Sequence, residues 1–145
     1  MRVQRGFTLL ETLLSIAALG IIAGISIPLY QSFRVRNDVD IAAVTITQSL
    51  RRAQVLARAS SGDAHWGVAI ATSSITLYKG PSYAGRDTSY DEMFDLPASI
   101  TPSGLTEITF TKFTGLPESA GTTTLTSSTN EVRTISLNEQ GTVNY

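Results

Sequence analysis

The apolar positions of this 145-residue chain are concentrated near its start. Residues 7–33 are almost entirely apolar, and Glu11 is the single charged residue among them. As an α-helix rising about 1.5 Å per residue, a run of this length can cross the roughly 30 Å hydrocarbon core of a bilayer. We therefore predict a hydrophobic transmembrane and assembly helix over residues 7–33.

A second helical pattern follows this run, and it has only one apolar face. Apolar residues recur three or four positions apart from Val35 to Ala57, and most of the arginines fall off this stripe. The pattern ends near Ser60, where Gly62 favours a helix stop. It predicts an amphipathic helical stem over residues 34–61 that lies against a globular head.

Residues 62–145 contain short runs of strand-forming residues separated by turn formers. The runs Trp66–Ile70 and Ile75–Tyr78 predict a hairpin, and a longer loop extends from Gly80 to Tyr90. Further strands are expected at Met93–Leu96, Thr106–Phe110, Thr122–Thr126, Val132–Leu137 and Thr142–Tyr145. Because no helices intervene, the sheet should be mainly antiparallel. The predicted fold class is α+β, with a long N-terminal helix packed on a β-rich head.

The predicted stem and the predicted head have net charges of opposite sign. Residues 34–61 hold five arginines and two aspartates, a net charge of +3, whereas residues 62–145 hold four basic and nine acidic residues, a net charge of −5. A cationic stem carrying an anionic head is one interpretation, and ordinary solvated surface is the other. The chain has no cysteine, so disulfides and thiolate metal sites are excluded.

Three interpretations compete for the N-terminal apolar run. A secretory signal has an apolar core of roughly 7–15 residues, and this run is longer and contains a carboxylate. A plain membrane anchor gains nothing from Glu11, since a carboxylate at the bilayer centre costs about 2.5–3.5 kcal/mol on insertion scales. An ionisable residue within such a segment therefore indicates a function.

The string RGFTLLE over residues 5–11, followed by TLLSIAALGIIAGISIPLY, favours the third interpretation. It closely resembles the type III signal of type IV prepilins and type II secretion pseudopilins. The resemblance implies that residues 1–6 are a basic leader cut after Gly6 by a prepilin peptidase. It further implies that Phe7 is then N-methylated, and that Glu11 guides filament assembly together with the Phe7 amine.

The same resemblance implies the partners and the location. The partners are other copies and other pilins in a helical filament, the prepilin peptidase, an inner-membrane assembly platform and the bilayer before assembly. Arginines flank both ends of the apolar run, so charge alone leaves orientation nearly tied. The processing motif implies a single-pass inner-membrane protein with its N-terminus inside and its head outside. Assembly then places it in an extracellular pilus or a periplasmic pseudopilus.

The head layout resembles the H-type minor pseudopilins and their pilus counterparts. Many major pilins close a C-terminal loop with a disulfide, and this chain lacks the cysteines to do so. Two function classes stay open at this point. The chain is either a structural filament subunit or a minor tip subunit whose head binds a ligand such as DNA or an exoprotein.

The stretch between Gly20 and Pro28 is the predicted weak point of the membrane helix. Pro28 removes a backbone donor and clashes with the carbonyl of Gly24. Gly20 and Gly24 each lower helix propensity by about 1 kcal/mol relative to alanine. In related filaments the corresponding stretch can melt into extended chain, whereas a kinked but continuous helix is the alternative in an isolated subunit.

No catalytic set stands out, and neither an enzyme nor a cofactor is expected. The single histidine, His65, has no cysteine partner, and an acidic stretch, Asp91, Glu92 and Asp95, lacks the spaced ligands of a calcium loop. We expect no metal site. A DNA-binding patch was considered, but the acidic head argues against it unless the basic residues cluster. Its candidate residues are Arg51, Arg52, Arg58, Lys79 and Arg86.

The leader motif leads to a prediction about the mature N-terminus. In a host that has the peptidase, the mature protein should begin at Phe7 and carry a methylated amine. Mass spectrometry of the N-terminal peptide measures both features. An intact Met1 start, or cleavage after Ala23, would contradict the assignment.

Overall fold

The computed structural model describes residues 7–145, without the side chains of residues 25–32. It divides into two units, one ending at Arg34 and the other comprising Val35–Tyr145, and the helix α1 (Leu9–Arg58) contributes to both. A single 3₁₀ turn, Ser61–Asp63, follows the helix. The strands are β1 Trp66–Ile70, β2 Ser74–Lys79, β3 Asp87–Asp95, β4 Ile100–Gly104, β5 Glu107–Phe110, β6 Gly121–Ser127, β7 Val132–Leu137 and β8 Val143–Asn144.

The strands of the second unit form two four-stranded sheets, both antiparallel in every pairing. The first has the order β3-β2-β1-β5, and the second has the order β4-β6-β7-β8. The predicted hairpin is confirmed, with β1 and β2 paired from Trp66 opposite Lys79 to Ile70 opposite Ile75. A helix followed by an antiparallel β head confirms the α+β class.

Three details of the head differ from the sequence prediction. The strand expected at Met93–Leu96 begins at Asp87, within the stretch predicted as loop. Strand β4 was not predicted, because Pro102 and Gly104 argue against a strand. Both β3 and β4 lie at sheet edges, where exposed polar residues and proline are tolerated. The strand pattern also did not indicate the division into two sheets.

The predicted stripe of the stem is the centre of the core. The stem residues from Val39 to Ala57 that follow the helical spacing are buried: Val39, Ala42, Ala43, Ile46, Leu50, Ala53 and Ala57. They share one apolar cluster with residues of both sheets, among them Leu77 of β2 and Leu125 of β6. Four alanines on this face let the sheets approach the helix closely. The larger side chains of Ile46 and Leu50 fill the space between the helix and the sheets.

The far side of the first sheet has its own small core around Tyr78. The ring of Tyr78 is fully buried, and its hydroxyl lies 2.7 Å from the hydroxyl of Thr109. Burial raises the pKa of Tyr78 to about 12, so the phenol is neutral at physiological pH. The neighbouring strand offers Gly67 opposite Tyr78, and a Cβ at Gly67 would clash with the ring and lie 2.7 Å from the carbonyl oxygen of Ile108.

This close approach predicts that Gly67→Ala destabilises the head. Overpacking of a filled interior costs typically 1–3 kcal/mol, and we expect about 2 kcal/mol here. Gly121→Ala is the matched control in another strand, because its Cβ would meet only the Leu105 side chain, at 3.6 Å. Urea unfolding of the full chain in detergent, followed by fluorescence of the single tryptophan Trp66, measures both. Equal midpoints for the two variants would contradict the packing argument.

Candidate assembly and processing site

The first turn of α1 is fixed by a threonine cap. The hydroxyl of Thr8 accepts a hydrogen bond from the backbone N–H of Glu11 at 3.3 Å, so Thr8 is the N-cap of a helix that begins at Leu9. A threonine followed three residues later by glutamate is the pattern of a capping box. The role of Thr8 was not predicted, although the Thr-x-x-Glu pattern of residues 8–11 is a sequence signal for such a cap.

Phe7 and Glu11 both lie exposed at this helix end. The side chain of Phe7 is 83% exposed. Glu11 is exposed as well, and among the described residues its carboxylate forms no ion pair. The backbone carbonyl of Glu11 accepts a hydrogen bond from the Ser15 hydroxyl at 2.8 Å. Both backbone groups of Glu11 are therefore hydrogen-bonded within the helix, whereas its carboxylate is exposed. The predicted cleavage residue Gly6 lies outside the described residues.

The helix around this carboxylate exposes apolar side chains on all sides. The exposed residues of this segment are Leu9, Leu10, Leu13, Leu14, Ile16, Leu19, Ile21 and Ile22, each between 57% and 79% exposed. A helix that is apolar all round is stable only when lipid or other protein surrounds it. Within the part of the chain that the structure describes, no helix has the length and apolar character needed to span a bilayer. The membrane span over residues 7–33 stays a prediction.

The predicted weak point of the helix has no packing role that the structure reveals. A Cβ at Gly20 or Gly24 would meet nothing within 4 Å, so these glycines are not required by contacts within the chain. Helix α1 is assigned through Gly20, Gly24 and Pro28, and the side chain of Pro28 is not described. The continuous helix belongs to a single chain, and melting of this stretch in a filament stays a prediction.

The basic residues considered for DNA binding are engaged within the head. Arg52 pairs with Glu92 at 2.6 Å, and Arg86 pairs with Asp91 at 2.8 Å. Lys79 lies 4.1 Å from the ring centre of Tyr90.

The other two candidate cations bond to the backbone. Arg58 donates to the carbonyl of Thr114 at 3.3 Å, and Arg51 donates to that of Val143 at 3.5 Å. Each of these five cations therefore has a local partner within the second unit.

The acidic and histidine candidates are likewise dispersed. Asp91 and Glu92 face arginines, and Asp95 ends β3 at an exposed position. His65 lies 3.5 Å from Glu118. Among residues 7–145, no three histidine or acidic side chains gather in a way that could hold a metal ion.

Known proteins resemble this chain both in its N-terminal segment and over most of its length. The family model of the prokaryotic N-terminal methylation motif matches residues 1–27. Two fimbrial proteins of Pseudomonas aeruginosa are each 28% identical over 112 residues, which cover 71% of this chain and 72% of the relative. No solved structure matches the chain. The motif and the two relatives support a type IV prepilin-like superfamily, as the resemblance predicts.

The same comparisons indicate the general role of the chain. The motif and the relatives support a structural subunit of the pilin or pseudopilin kind that assembles into filaments with other pilins. The motif further indicates a membrane-anchored protein that later becomes associated with a pilus. A head that acts mainly by binding a separate ligand is not favoured.

The cap leads to a prediction about the helix start. Thr8→Ala removes the acceptor for the Glu11 N–H and should weaken the first turn by about 1 kcal/mol. Amide exchange at Glu11, measured by NMR of the full chain in detergent micelles, should therefore quicken by about fivefold. Thr8→Ser keeps the hydroxyl and should exchange like the unchanged protein. Unchanged exchange in Thr8→Ala would show that Thr8 does not cap the helix.

Proposed function

We propose that this subunit is cut after Gly6, methylated at Phe7 and assembled into its filament through the N-terminal helix. The observation that carries the proposal is the Glu11 carboxylate, which is exposed and without an ion pair among the described residues while apolar side chains surround it. Cutting after Gly6 would remove Arg2 and Arg5 and create a cationic amine at Phe7. The amine of one subunit and the carboxylate of a neighbour then have opposite charges.

The cost of burying an unpaired charge limits the depth at which a subunit can dock. A charged group in an apolar environment is heavily penalised, and removing one partner of a buried pair costs about 3–5 kcal/mol. A new subunit is therefore stable only at the depth where its Glu11 meets an amine. Misplaced by one helical turn, about 5.4 Å, the carboxylate would lie against apolar side chains. The pair acts as a register device within an otherwise uniform apolar interface.

The partners and topology form part of the same proposal. Before assembly, residues 7–33 anchor the chain in the inner membrane, with the N-terminus inside, where the prepilin peptidase cuts. The head lies outside, and the inner-membrane assembly platform moves the processed subunit into an extracellular pilus or a periplasmic pseudopilus. The helix provides the interface and the head provides the filament surface. This role requires neither a catalytic group nor a cofactor.

The proposal predicts the behaviour of Glu11 variants. Glu11→Ala should be cut and retained in the membrane normally, because the cut lies five residues away and the apolar run becomes more apolar. Its incorporation into filaments should fall at least about tenfold, since 1.4 kcal/mol already corresponds to a factor of ten. Glu11→Gln should fail in the same way, and Glu11→Asp should be partly tolerated. Immunoblots of membranes and of sheared filaments measure the two steps separately.

Ser15→Ala is the matched control, since it removes an exposed hydroxyl one turn away and leaves the carboxylate in place. Its filament yield should equal that of the unchanged chain. A normal filament yield from processed Glu11→Ala would show that the charge pair is dispensable. Loss of both cleavage and filaments would instead assign Glu11 to processing.

A further inference from the structure

The outer face of the second sheet is a flat array of hydroxyl side chains. The strand register puts Thr124 of β6 beside Ser103 of β4 and Thr134 of β7, and it repeats this pattern along the sheet. Leu125 and Ile135 alternate with these residues and point into the core. The full outward-facing set is Thr101, Ser103, Thr122, Thr124, Thr126, Val132, Thr134, Ser136 and Asn144.

The outer face of the first sheet is quite different. The segment between β2 and β3 covers it, with the rings of Tyr83 and Tyr78 5.8 Å apart. The backbone N–H of Tyr83 donates to Glu107 at 2.8 Å, and Arg86 pairs with Asp91 beside it. One sheet therefore has a covered, charged outer side, whereas the hydroxyl face of the other is exposed or half-exposed among the described residues.

The hydroxyl face carries no charge. Residues 62–145 contain four basic and nine acidic residues, and none of these thirteen is in the outward-facing set. Exposed strand positions ordinarily include charged residues, whereas the centres of protein interfaces are depleted of them. The absence of charge over four adjacent strands is a feature that this face shares with the centres of protein interfaces.

We propose that the hydroxyl face packs against a second copy of this chain in the assembled filament. The inference rests on the proposed filament function. Because the unit Val35–Tyr145 holds eight basic and eleven acidic residues, a net charge of −3, every copy in a filament repeats the same negative sign. Juxtaposed like charges cost several kcal/mol, so two heads approach most easily where one presents no charge at all. Threonine methyl groups and hydroxyls supply the contact on this face.

The size of the face determines when the contact forms. Four strands about 4.8 Å apart and five residues about 3.4 Å apart cover on the order of 250 Å². A stable protein interface needs about 800 Å² from each partner, so this face cannot hold two separate molecules together. Helices already assembled side by side would hold the heads at a high effective concentration. The contact is therefore made in filaments and is absent from unassembled subunits.

The chain lacks cysteine, which allows a direct test. Thr134→Cys introduces a thiol in the hydroxyl face, and Thr88→Cys introduces one at an exposed position of β3 in the other sheet. Both are treated with a maleimide reagent, once in membranes before assembly and once in sheared filaments. Labelling of Thr134→Cys should fall by about tenfold on assembly, because a packed contact that excludes water also excludes the reagent. Labelling of Thr88→Cys should change little.

Charge placed on the face gives a second measurement. Thr134→Glu should lower filament yield while membrane levels stay normal, and Thr88→Glu should leave the yield unchanged. Ser136→Cys, on the same strand and face, replaces Thr134→Cys if that variant does not accumulate. Equal labelling of both thiols in filaments would overturn the inference while leaving filament membership intact. Filaments that contain none of this chain would overturn the proposed function instead.

Discussion

Burial of one helical stripe is the constraint on which the second unit depends. The residues from Val39 to Ala57 contact apolar side chains of both sheets, so neither sheet has a complete core without the stem. The head loops are fastened to the same helix end, since the Phe113 N–H donates to the Ala57 carbonyl at 3.0 Å and Gln54 donates to Gly115 at 3.1 Å. Phe113 has a φ of 69° there, a conformation that the bond to the helix helps to hold. The stem is therefore an integral part of the head.

The N-terminal half of the same helix has the opposite character. Its apolar residues contact little of their own chain, and the structure leaves them exposed around a single carboxylate. Such a surface is unfavourable in water and favourable in lipid or among identical helices. This contrast suits a filament subunit. The apolar stripe in the second half of α1 is buried within the chain, whereas the apolar side chains of the first half need lipid or neighbouring subunits around them. In the proposed assembly, the charge of Glu11 adds the positional information that apolar contacts alone lack, since those contacts are not directional.

The charge division between stem and head has a mainly internal use. Arg36 pairs with Glu131 at 2.6 Å, Arg52 with Glu92 at 2.6 Å, and Arg133 of β7 with Asp40 of the stem at 2.7 Å. These pairs are exposed, so each contributes little to stability, and each joins the stem to a residue of the head. The same pairing engages two of the five stem arginines, Arg36 and Arg52, with acidic residues of the head. Residues 62–145 have a net negative charge, and none of their charged side chains lies on the hydroxyl face.

Local patterns in the sequence determined the stem, its buried stripe, the β1–β2 hairpin and the processing motif, because each depends on neighbours within a few residues. The tertiary structure decided the rest of the head. Strand β3 is polar and β4 contains Pro102, and both become strands because an edge position needs hydrogen bonds on one side only. The hydroxyl face likewise arises from the register of four strands, three of them separated in sequence from β4. For the proposed site, the sequence alone predicted Phe7 and Glu11, while the cap at Thr8 and the lack of an ion pair at Glu11 among the described residues required coordinates, because both are statements about where atoms lie.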